Sequence, residues 1–249
     1  MKSLVIAALV IAAVAGTSRA EESREITVFA AASLREVFED LAKTFEARSG
    51  VKVRVNLAGS QELRTQIENG ASADVFAPAD QKHMATLVRA KLVATPRVFA
   101  RNTPVVIVPR DNPAKVGSFA DLPRAKKLVI GVPEVPIGSY TLEILDKAGA
   151  ELKHKVLANV VSRELNVRQV LAKVNLGEAD AGIVYRSDAM ASKDKVAIIE
   201  IPANVNVVAE YPVAVLAKAP QAAAARAFVD LLLSSDGQKR LVAAGFAAP

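Results

Sequence analysis

Residues 26–60 read ITVFAAASLREVFEDLAKTFEARSGVKVRVNLAGS. The stretch begins with a short β-type run at residues 26–29, and apolar residues then recur at helical spacing between Leu34 and Phe45. Gly50 marks the end of this predicted helix, and residues 51–57 alternate apolar and polar side chains as a half-buried strand does. Strand, helix and strand in this order predict a parallel β-α-β unit and an α/β fold.

The same alternation of strands and helices continues along the chain. We predict further strands at residues 74–77, 105–108, 127–132 and 181–185, and helices at residues 61–68, 81–92, 137–148, 167–174, 222–233 and 237–244. Two long extended stretches, residues 98–108 and 205–216, are the candidates for crossings between two lobes. Strands separated by helical patterns favour parallel sheets joined by helical crossovers.

The composition excludes several classes of protein. The chain has 249 residues, of which 51% are hydrophobic and 23% charged, and this balance is typical of a globular protein. The absence of cysteine excludes disulfide scaffolds, thiolate zinc sites, iron–sulfur clusters and cysteine nucleophiles. His83 and His154 are the two histidines, so a histidine-rich metal site is not expected. The net charge of +6 indicates an anionic partner without identifying it.

Residues 1–20 have the pattern of a secretory signal peptide. Lys2 precedes an apolar run at residues 4–15, and a small-x-Ala sequence ends at Ala20. The apolar run is too short to span roughly 30 Å of hydrocarbon. We expect cleavage after Ala20, which removes Lys2 and Arg19 and lowers the net charge from +6 to +4. The sequence therefore predicts a periplasmic protein.

Three predicted strands end in small residues just before a helix begins. These junctions are AAASL at residues 30–34, LAGS at residues 57–60 and VPIG at residues 135–138. Helix N-termini present unpaired N–H donors and a partial positive charge, so several of them converging on one point can bind an anion without Lys or Arg. In an open α/β sheet, such loops lie at the carboxyl ends of the strands, where ligands bind.

Each of these residues also has a purely structural interpretation. Ser33 and Ser60 would be helix N-caps, and Ser33 with Glu36 has the spacing of a capping box. Val167 would be a core residue, and Tyr185 a half-buried strand residue with a locally bonded hydroxyl.

The sequence lacks the common catalytic motifs. It contains no Gly-x-Ser-x-Gly, Walker A, Gly-x-Gly-x-x-Gly or His-Glu-x-x-His pattern, and no nucleic-acid-binding signature. Ser33 has no evident base, because we expect His83 on a helix surface and His154 in a polar connection. Glu134 and Asp188 are carboxylates that could pair, although nothing in their spacing requires it.

Four motifs resemble the periplasmic molybdate-binding proteins of ABC transporters. They are AASL at residues 31–34, GASADVFAPAD at 70–80, GVPEVPIG at 131–138 and GIVYRSDA at 182–189, in the order and at about the spacing of the family. The resemblance runs from about Glu25 to Phe246. It implies the two-lobe (type 2) periplasmic binding protein fold, in which each lobe is a mainly parallel sheet flanked by helices and two hinge crossings connect the lobes.

The same resemblance implies how the chain is divided and which residues bind the ligand. Lobe 1 would comprise residues 21–103 and 212–249, and lobe 2 residues 104–211. The implied molybdate-binding groups are the hydroxyl and backbone N–H groups of Ser33 and Ser60, the backbone N–H groups of Ile137 and Val167, and the hydroxyl of Tyr185. Two positions depart from the family pattern: Gly59-Ser60-Gln61 stands where a run of serines is common, and Ile137 where Ala is common.

The function implied by the resemblance is binding of molybdate, and also tungstate, for delivery to the membrane permease of an ABC transporter. The protein would be a monomer without enzymatic activity, cofactor, nucleic-acid partner or any metal beyond that of the bound oxyanion. Neutral donors suit a deprotonated tetrahedral dianion, whereas monoprotonated phosphate would also need an acceptor.

Three alternatives remain open from the sequence. The chain could bind another tetrahedral oxyanion such as sulfate, or be a secreted serine hydrolase that uses Ser33 or Ser60. It could also be the effector-sensing domain of a transcription regulator, against which the predicted signal peptide argues.

Overall fold

The computed structural model describes residues 25–249, so the predicted signal peptide and its cleavage site lie outside the described residues. The first part of the chain forms β1 (Glu25–Ala31), α1 (Arg35–Ser49), β2 (Lys52–Ala58), α2 (Ser60–Glu68), β3 (Val75–Ala77), α3 (Gln81–Arg89) and β4 (Arg97–Asn102). The middle part forms β5 (Pro104–Pro109), β6 (Leu128–Gly131), α4 (Pro136–Ala148), α5 (Ala150–Leu157), β7 (Val160–Glu164), α6 (Val167–Asn175), β8 (Ala181–Tyr185), α7 (Arg186–Ala191) and β9 (Val196–Ile199). The last part forms β10 (Ala209–Val215), α8 (Ala222–Leu233) and α9 (Ser235–Ala243), and short 3₁₀ turns cover Ala32–Leu34 and Phe119–Arg124.

The strands form two five-stranded sheets of matching design, in the orders β2-β1-β3-β10-β4 and β7-β6-β8-β5-β9. In the first sheet β1 pairs in parallel with β2 and β3, while β10 is antiparallel to both β3 and β4. In the second sheet β6 pairs in parallel with β7 and β8, while β5 is antiparallel to both β8 and β9. Four strands of each sheet therefore point the same way, and the fifth runs against them.

We call each sheet with the helices packed on it a lobe. Helices α1, α2, α3, α8 and α9 pack in lobe 1, and α4 to α7 in lobe 2. The chain passes from lobe 1 to lobe 2 at Thr103, inside the predicted crossing at residues 98–108, and returns through residues 200–208. The second predicted stretch, residues 205–216, is mostly β10, which pairs with β4 from Ala209 onward. The lobe boundaries at residues 103/104 and 211/212 stay a prediction.

Local sequence explains the regular elements well. Helix α1 ends at Gly50, whose φ of +70° is favourable for glycine and whose N–H donates to the Glu46 carbonyl at 2.9 Å. The continuous apolar run of β5 is buried because the strand lies inside its sheet, between β8 and β9. These features confirm the α/β class predicted from residues 26–60.

The sequence pattern did not predict four of the observed elements, namely α5, β7, α7 and β9. Each is short, and β7 is an edge strand in which exposed and half-buried residues alternate. The polar connection predicted around His154 is in fact α5, in which Val156 is the buried residue. Between residues 25 and 249, no helix combines the length and apolar character needed to cross a bilayer.

Candidate functional site

All five residues implied by the resemblance line one small cavity between the lobes. The other lining residues are small or uncharged, namely Ala31, Ala32, Ala58, Gly59, Ala79, Val135, Pro136 and Asn166. The cavity, including its opening to solvent, has a volume of about 240 Å³. It is therefore small and suits a ligand of a few heavy atoms. Within residues 25–249, no charged side chain lines the cavity.

Ser60 supplies a hydroxyl whose acceptor side is already used. It is the first residue of α2, and its buried Oγ accepts a hydrogen bond from the Ala79 N–H at 3.0 Å. The hydroxyl proton is therefore available for a ligand. Gly59 is the N-cap residue, so the interpretation of Ser60 as an N-cap is wrong, and no side chain caps the first turn of α2.

Ser33 lies in the 3₁₀ turn that joins β1 to α1, and it is also buried. Its Oγ is 3.0 Å from the Tyr211 Oη, and either hydroxyl can be the donor. The predicted capping box is wrong, because Ser33 makes no cap hydrogen bond and the Glu36 side chain bonds Arg168 instead. Tyr211 and Arg168, which are distant in the sequence, are thus the partners of Ser33 and Glu36 in place of the predicted local contact.

The first residues of α4 line the cavity. Pro136 occupies the first helical position and has no N–H, and Val135 at the N-cap provides no side-chain cap. The next N–H belongs to Ile137 and has no partner within the helix. It therefore matches the role implied for Ile137.

At the start of α6, the cap leaves one N–H group for the cavity. Asn166 Oδ1 accepts the N–H groups of Arg168 and Gln169 at 3.0 and 3.1 Å. Val167 is the first residue of α6, so its own N–H is outside this cap and lacks a partner within the helix. Val167 is buried, as the core interpretation expected, and it also lines the cavity.

Tyr185 ends β8 with a buried hydroxyl that has no hydrogen-bond partner among residues 25–249. Its ring packs edge-on against Tyr140 and Tyr211, with centroid distances of 6.4 and 5.8 Å. Burial raises the pKa of Tyr185 well above its usual value of 10.0, so the group remains an O–H donor. A buried hydroxyl without a partner is costly, and a ligand oxygen would satisfy it. The structural interpretation, which required a local partner, is wrong.

Three charged residues, Glu36, Arg168 and Asp188, form a cluster beside the cavity that the sequence analysis did not predict. Arg168 Nη1 donates to Glu36 Oε1 at 2.7 Å, and Arg168 Nε lies 2.7 Å from Asp188 Oδ1. Burial raises the pKa of Asp188 to about 6, although Arg168 opposes this shift. Asp188 therefore pairs with Arg168 and not with Glu134.

His83 is buried on α3, contrary to the surface position expected from sequence. Its Nε2 lies 3.1 Å from the Glu134 carbonyl oxygen of lobe 2 and 3.8 Å from Asp80 Oδ2. Burial lowers the pKa of His83 in spite of the neighbouring Asp80. Neither cavity serine is among its hydrogen-bond partners, so His83 does not supply the base that a serine nucleophile needs.

The donors around the cavity are hydroxyl and backbone N–H groups, which suit an anion and not a cation. Over residues 25–249, no group of three or more His, Asp and Glu side chains is placed to hold a metal ion. The residues with such donors that line the cavity are Ser33 and Ser60 from lobe 1, and Ile137, Val167 and Tyr185 from lobe 2.

Comparisons with known proteins agree with this geometry. The chain is 44% identical over 230 residues to the molybdate-binding protein ModA of Mycobacterium tuberculosis H37Rv, which covers 91% of this chain and 86% of that protein. The periplasmic molybdate-binding protein of Azotobacter vinelandii has a similar structure, with a TM-score of 0.80 at 21% identity over 90% of this chain and 99% of that one. The sulfate-binding protein SubI of M. tuberculosis has the same TM-score of 0.80 at 22% identity, over 90% of this chain and 86% of that one.

These likenesses confirm the two-lobe periplasmic binding protein fold, and the two structures with equal TM-scores show that the fold alone does not select the anion. The model of the bacterial extracellular solute-binding protein family matches residues 26–247. This chain therefore belongs to the bacterial extracellular solute-binding protein family.

Proposed function

We propose that this protein is a periplasmic substrate-binding protein that captures molybdate, and also tungstate, between its lobes and delivers it to the permease of an ABC transporter. The observation that carries this proposal is the uncharged cavity that residues with hydroxyl and backbone N–H donors from both lobes line. The 44% identity to a protein named for molybdate binding supports the choice of anion.

The binding groups in this proposal are Ser33, Ser60, Ile137, Val167 and Tyr185. An anion that binds to one lobe gains the donors of the other when the lobes close, so the ligand stabilises the closed form through this difference in contacts. In this proposal, the signal peptide is cleaved after Ala20 and the mature protein acts as a monomer. It catalyses no reaction and needs neither a cofactor nor a nucleic-acid partner.

The donor set also bears on which anions bind. Molybdate and tungstate are fully deprotonated near neutral pH and need only donors, whereas monoprotonated phosphate also offers a proton. No carboxylate lines the cavity from residues 25–249, and Asn166 Oδ1 is already used by two backbone N–H groups. Phosphate is therefore disfavoured by chemistry, while sulfate differs from molybdate mainly in size.

A thermal-shift and calorimetric panel with molybdate, tungstate, sulfate and phosphate tests this proposal on the mature protein. Molybdate at a hundred times its dissociation constant should add about 2.7 kcal/mol to the free energy of unfolding. Equal stabilisation by sulfate at equal concentration would show that the anion is wrongly assigned. Hydrolysis of a chromogenic ester that disappears in Ser33→Ala would favour the hydrolase alternative instead.

A further inference from the structure

Arg168 connects three segments that carry the proposed binding residues. It follows Val167 directly in α6, and its guanidinium contacts Glu36 in α1 and Asp188 in α7. Glu36 is three residues after Ser33, and Asp188 is three residues after Tyr185. One side chain thus contacts the helices that follow two binding residues and belongs to the helix that contains a third.

Of the two contacts that Arg168 makes, one is buried within lobe 2 and the other is partly exposed and joins lobe 2 to lobe 1. Asp188 is in lobe 2, like Arg168, and its side chain has no exposed surface. Glu36 is in lobe 1, and 49% of its side chain is exposed. The guanidinium meets Glu36 with both Nη1 and Nη2, a bidentate arrangement.

The Glu36–Arg168 contact is the one ion pair, of those within residues 25–249, that joins the two lobes. Other side-chain contacts between the lobes are hydrogen bonds: Gln61 Nε2 donates to the Leu165 carbonyl at 3.0 Å, Asn102 Nδ2 donates to Ser187 Oγ at 2.8 Å, and His83 Nε2 lies 3.1 Å from the Glu134 carbonyl oxygen. Burial alone would raise the pKa of Glu36, but Arg168 outweighs it and holds that pKa below its usual value. Glu36 therefore stays ionised at neutral pH.

We propose that Arg168 and Glu36 form a latch that holds the lobes closed over the ligand, with Asp188 keeping the guanidinium in position. This inference rests on the proposed function, because it concerns the release of the anion bound between the lobes. Opening the lobes separates Glu36 from Arg168, while Arg168 keeps its buried partner Asp188 and Glu36 becomes hydrated. A contact made only in the closed form slows dissociation more than it affects association.

The test compares Glu36→Gln with Glu39→Gln as a matched control. Glu39 lies on the same helix, its side chain is also 49% exposed, and its ion pair with Arg35 stays within lobe 1. Substitution of Arg168 is less informative, because it would leave the buried Asp188 without its partner. The readout is the rate of molybdate release, followed in a stopped-flow instrument by the fluorescence of the protein's three tyrosines.

We expect Glu36→Gln to release molybdate roughly three to ten times faster than the wild type, with an unchanged melting temperature of the ligand-free protein. Release from the wild type should also accelerate with added NaCl, and this dependence should be weaker in Glu36→Gln. Glu39→Gln should release at the wild-type rate. Equal release rates for Glu36→Gln and the wild type would overturn the latch.

Failure of the latch and failure of the proposed function give different results. If the wild type binds no molybdate, the proposed function is wrong, and the latch is then tested with the anion of the panel that does stabilise the protein, sulfate first. Glu36→Gln must release that anion faster than the wild type and Glu39→Gln. Equal release rates for all three would overturn the latch on its own.

Discussion

The two halves of the cavity are prepared for an anion in different ways. In lobe 1 the two hydroxyls proposed to bind the anion have protein partners: Ser33 Oγ shares a hydrogen bond with Tyr211 Oη, and Ser60 Oγ accepts the Ala79 N–H. In lobe 2 the Tyr185 hydroxyl has no partner within residues 25–249, and Val167 begins a helix whose cap serves other N–H groups. Both lobe 1 hydroxyls therefore have a protein partner already, whereas the Tyr185 hydroxyl of lobe 2 has none within the described residues.

This difference explains how closure can depend on the ligand. Closing the lobes over an empty cavity buries donors that have no acceptor, which costs about 1–3 kcal/mol for each unsatisfied group. An oxyanion held first by lobe 1 supplies the missing acceptors when lobe 2 arrives. The substitutions and the pH change below test the lobe 1 and lobe 2 sides of the cavity. They are given from the largest expected effect on molybdate affinity to the smallest.

The largest loss of molybdate affinity is expected from Gly59→Ala, which keeps the lobe 1 and lobe 2 sides of the cavity from closing fully. A Cβ atom at Gly59 would lie 2.5 Å from the Leu165 carbonyl oxygen of lobe 2, so the lobes would have to stay further apart. We expect the affinity for molybdate to fall by about 2–3 kcal/mol in calorimetry. The melting temperature without ligand should change little, because a φ of −64° suits alanine.

Gly117→Ala provides the control for this substitution, since the nearest atom to its added Cβ would be 3.7 Å away. It should bind molybdate as the wild type does. Wild-type affinity in Gly59→Ala would show that close contact of the lobes at Leu165 is not needed for binding.

In the lobe 2 half, Tyr185→Phe removes a donor that the protein itself does not use. We expect the binding free energy to weaken by about 2 kcal/mol, because the lost hydrogen bond is to a charged ligand. The ligand-free protein should be as stable as the wild type or slightly more so, since no internal hydrogen bond is lost. Loss of stability in urea unfolding would indicate an internal partner for the Tyr185 hydroxyl.

In the lobe 1 half, Ser60→Ala should affect both binding and stability. It removes a donor to the ligand and leaves the buried Ala79 N–H without its acceptor. We expect binding to weaken by about 1–2 kcal/mol and the free energy of unfolding of the ligand-free protein to fall by about 1 kcal/mol. Ser118→Ala, at an exposed turn, is the control and should change neither quantity.

The smallest effect is expected from raising the pH. The raised pKa of Tyr185 keeps its donor form fully present below about pH 10, and the donor is lost only as the pH rises through the higher folded value. The dissociation constant for molybdate should therefore stay within about twofold between pH 7.5 and 9.5. A fall in affinity over this range in the wild type, but not in Tyr185→Phe, would contradict the raised pKa.

The sequence was sufficient for the elements with strong periodicity and for the residues that carry family motifs. Periodicity does not predict α5, β7, α7 and β9, because they are short and their apolar faces are narrow or half exposed. These elements form because their neighbours in lobe 2 cover them, and a local window of sequence does not contain those neighbours.

Tertiary contacts explain the remaining errors. Arg168 and Glu36 are 132 positions apart, so no local pattern indicates their ion pair. His83 has the sequence surroundings of a surface helix, yet the approach of Glu134 from lobe 2 helps to bury it. The capping-box spacing of Ser33 and Glu36 predicts a local interaction that two long-range partners replace.

The position of β10 has a consequence for the order in which the molecule folds. It lies between β3 and β4 in the first sheet, and it follows all of lobe 2 in the chain. During synthesis, lobe 2 is complete once β9 has emerged, whereas β4 has no neighbouring strand until residues 209–215 appear. Lobe 1, which begins first, is therefore finished last, and a chain that stops before β10 is left with two exposed strand edges where its first sheet should close.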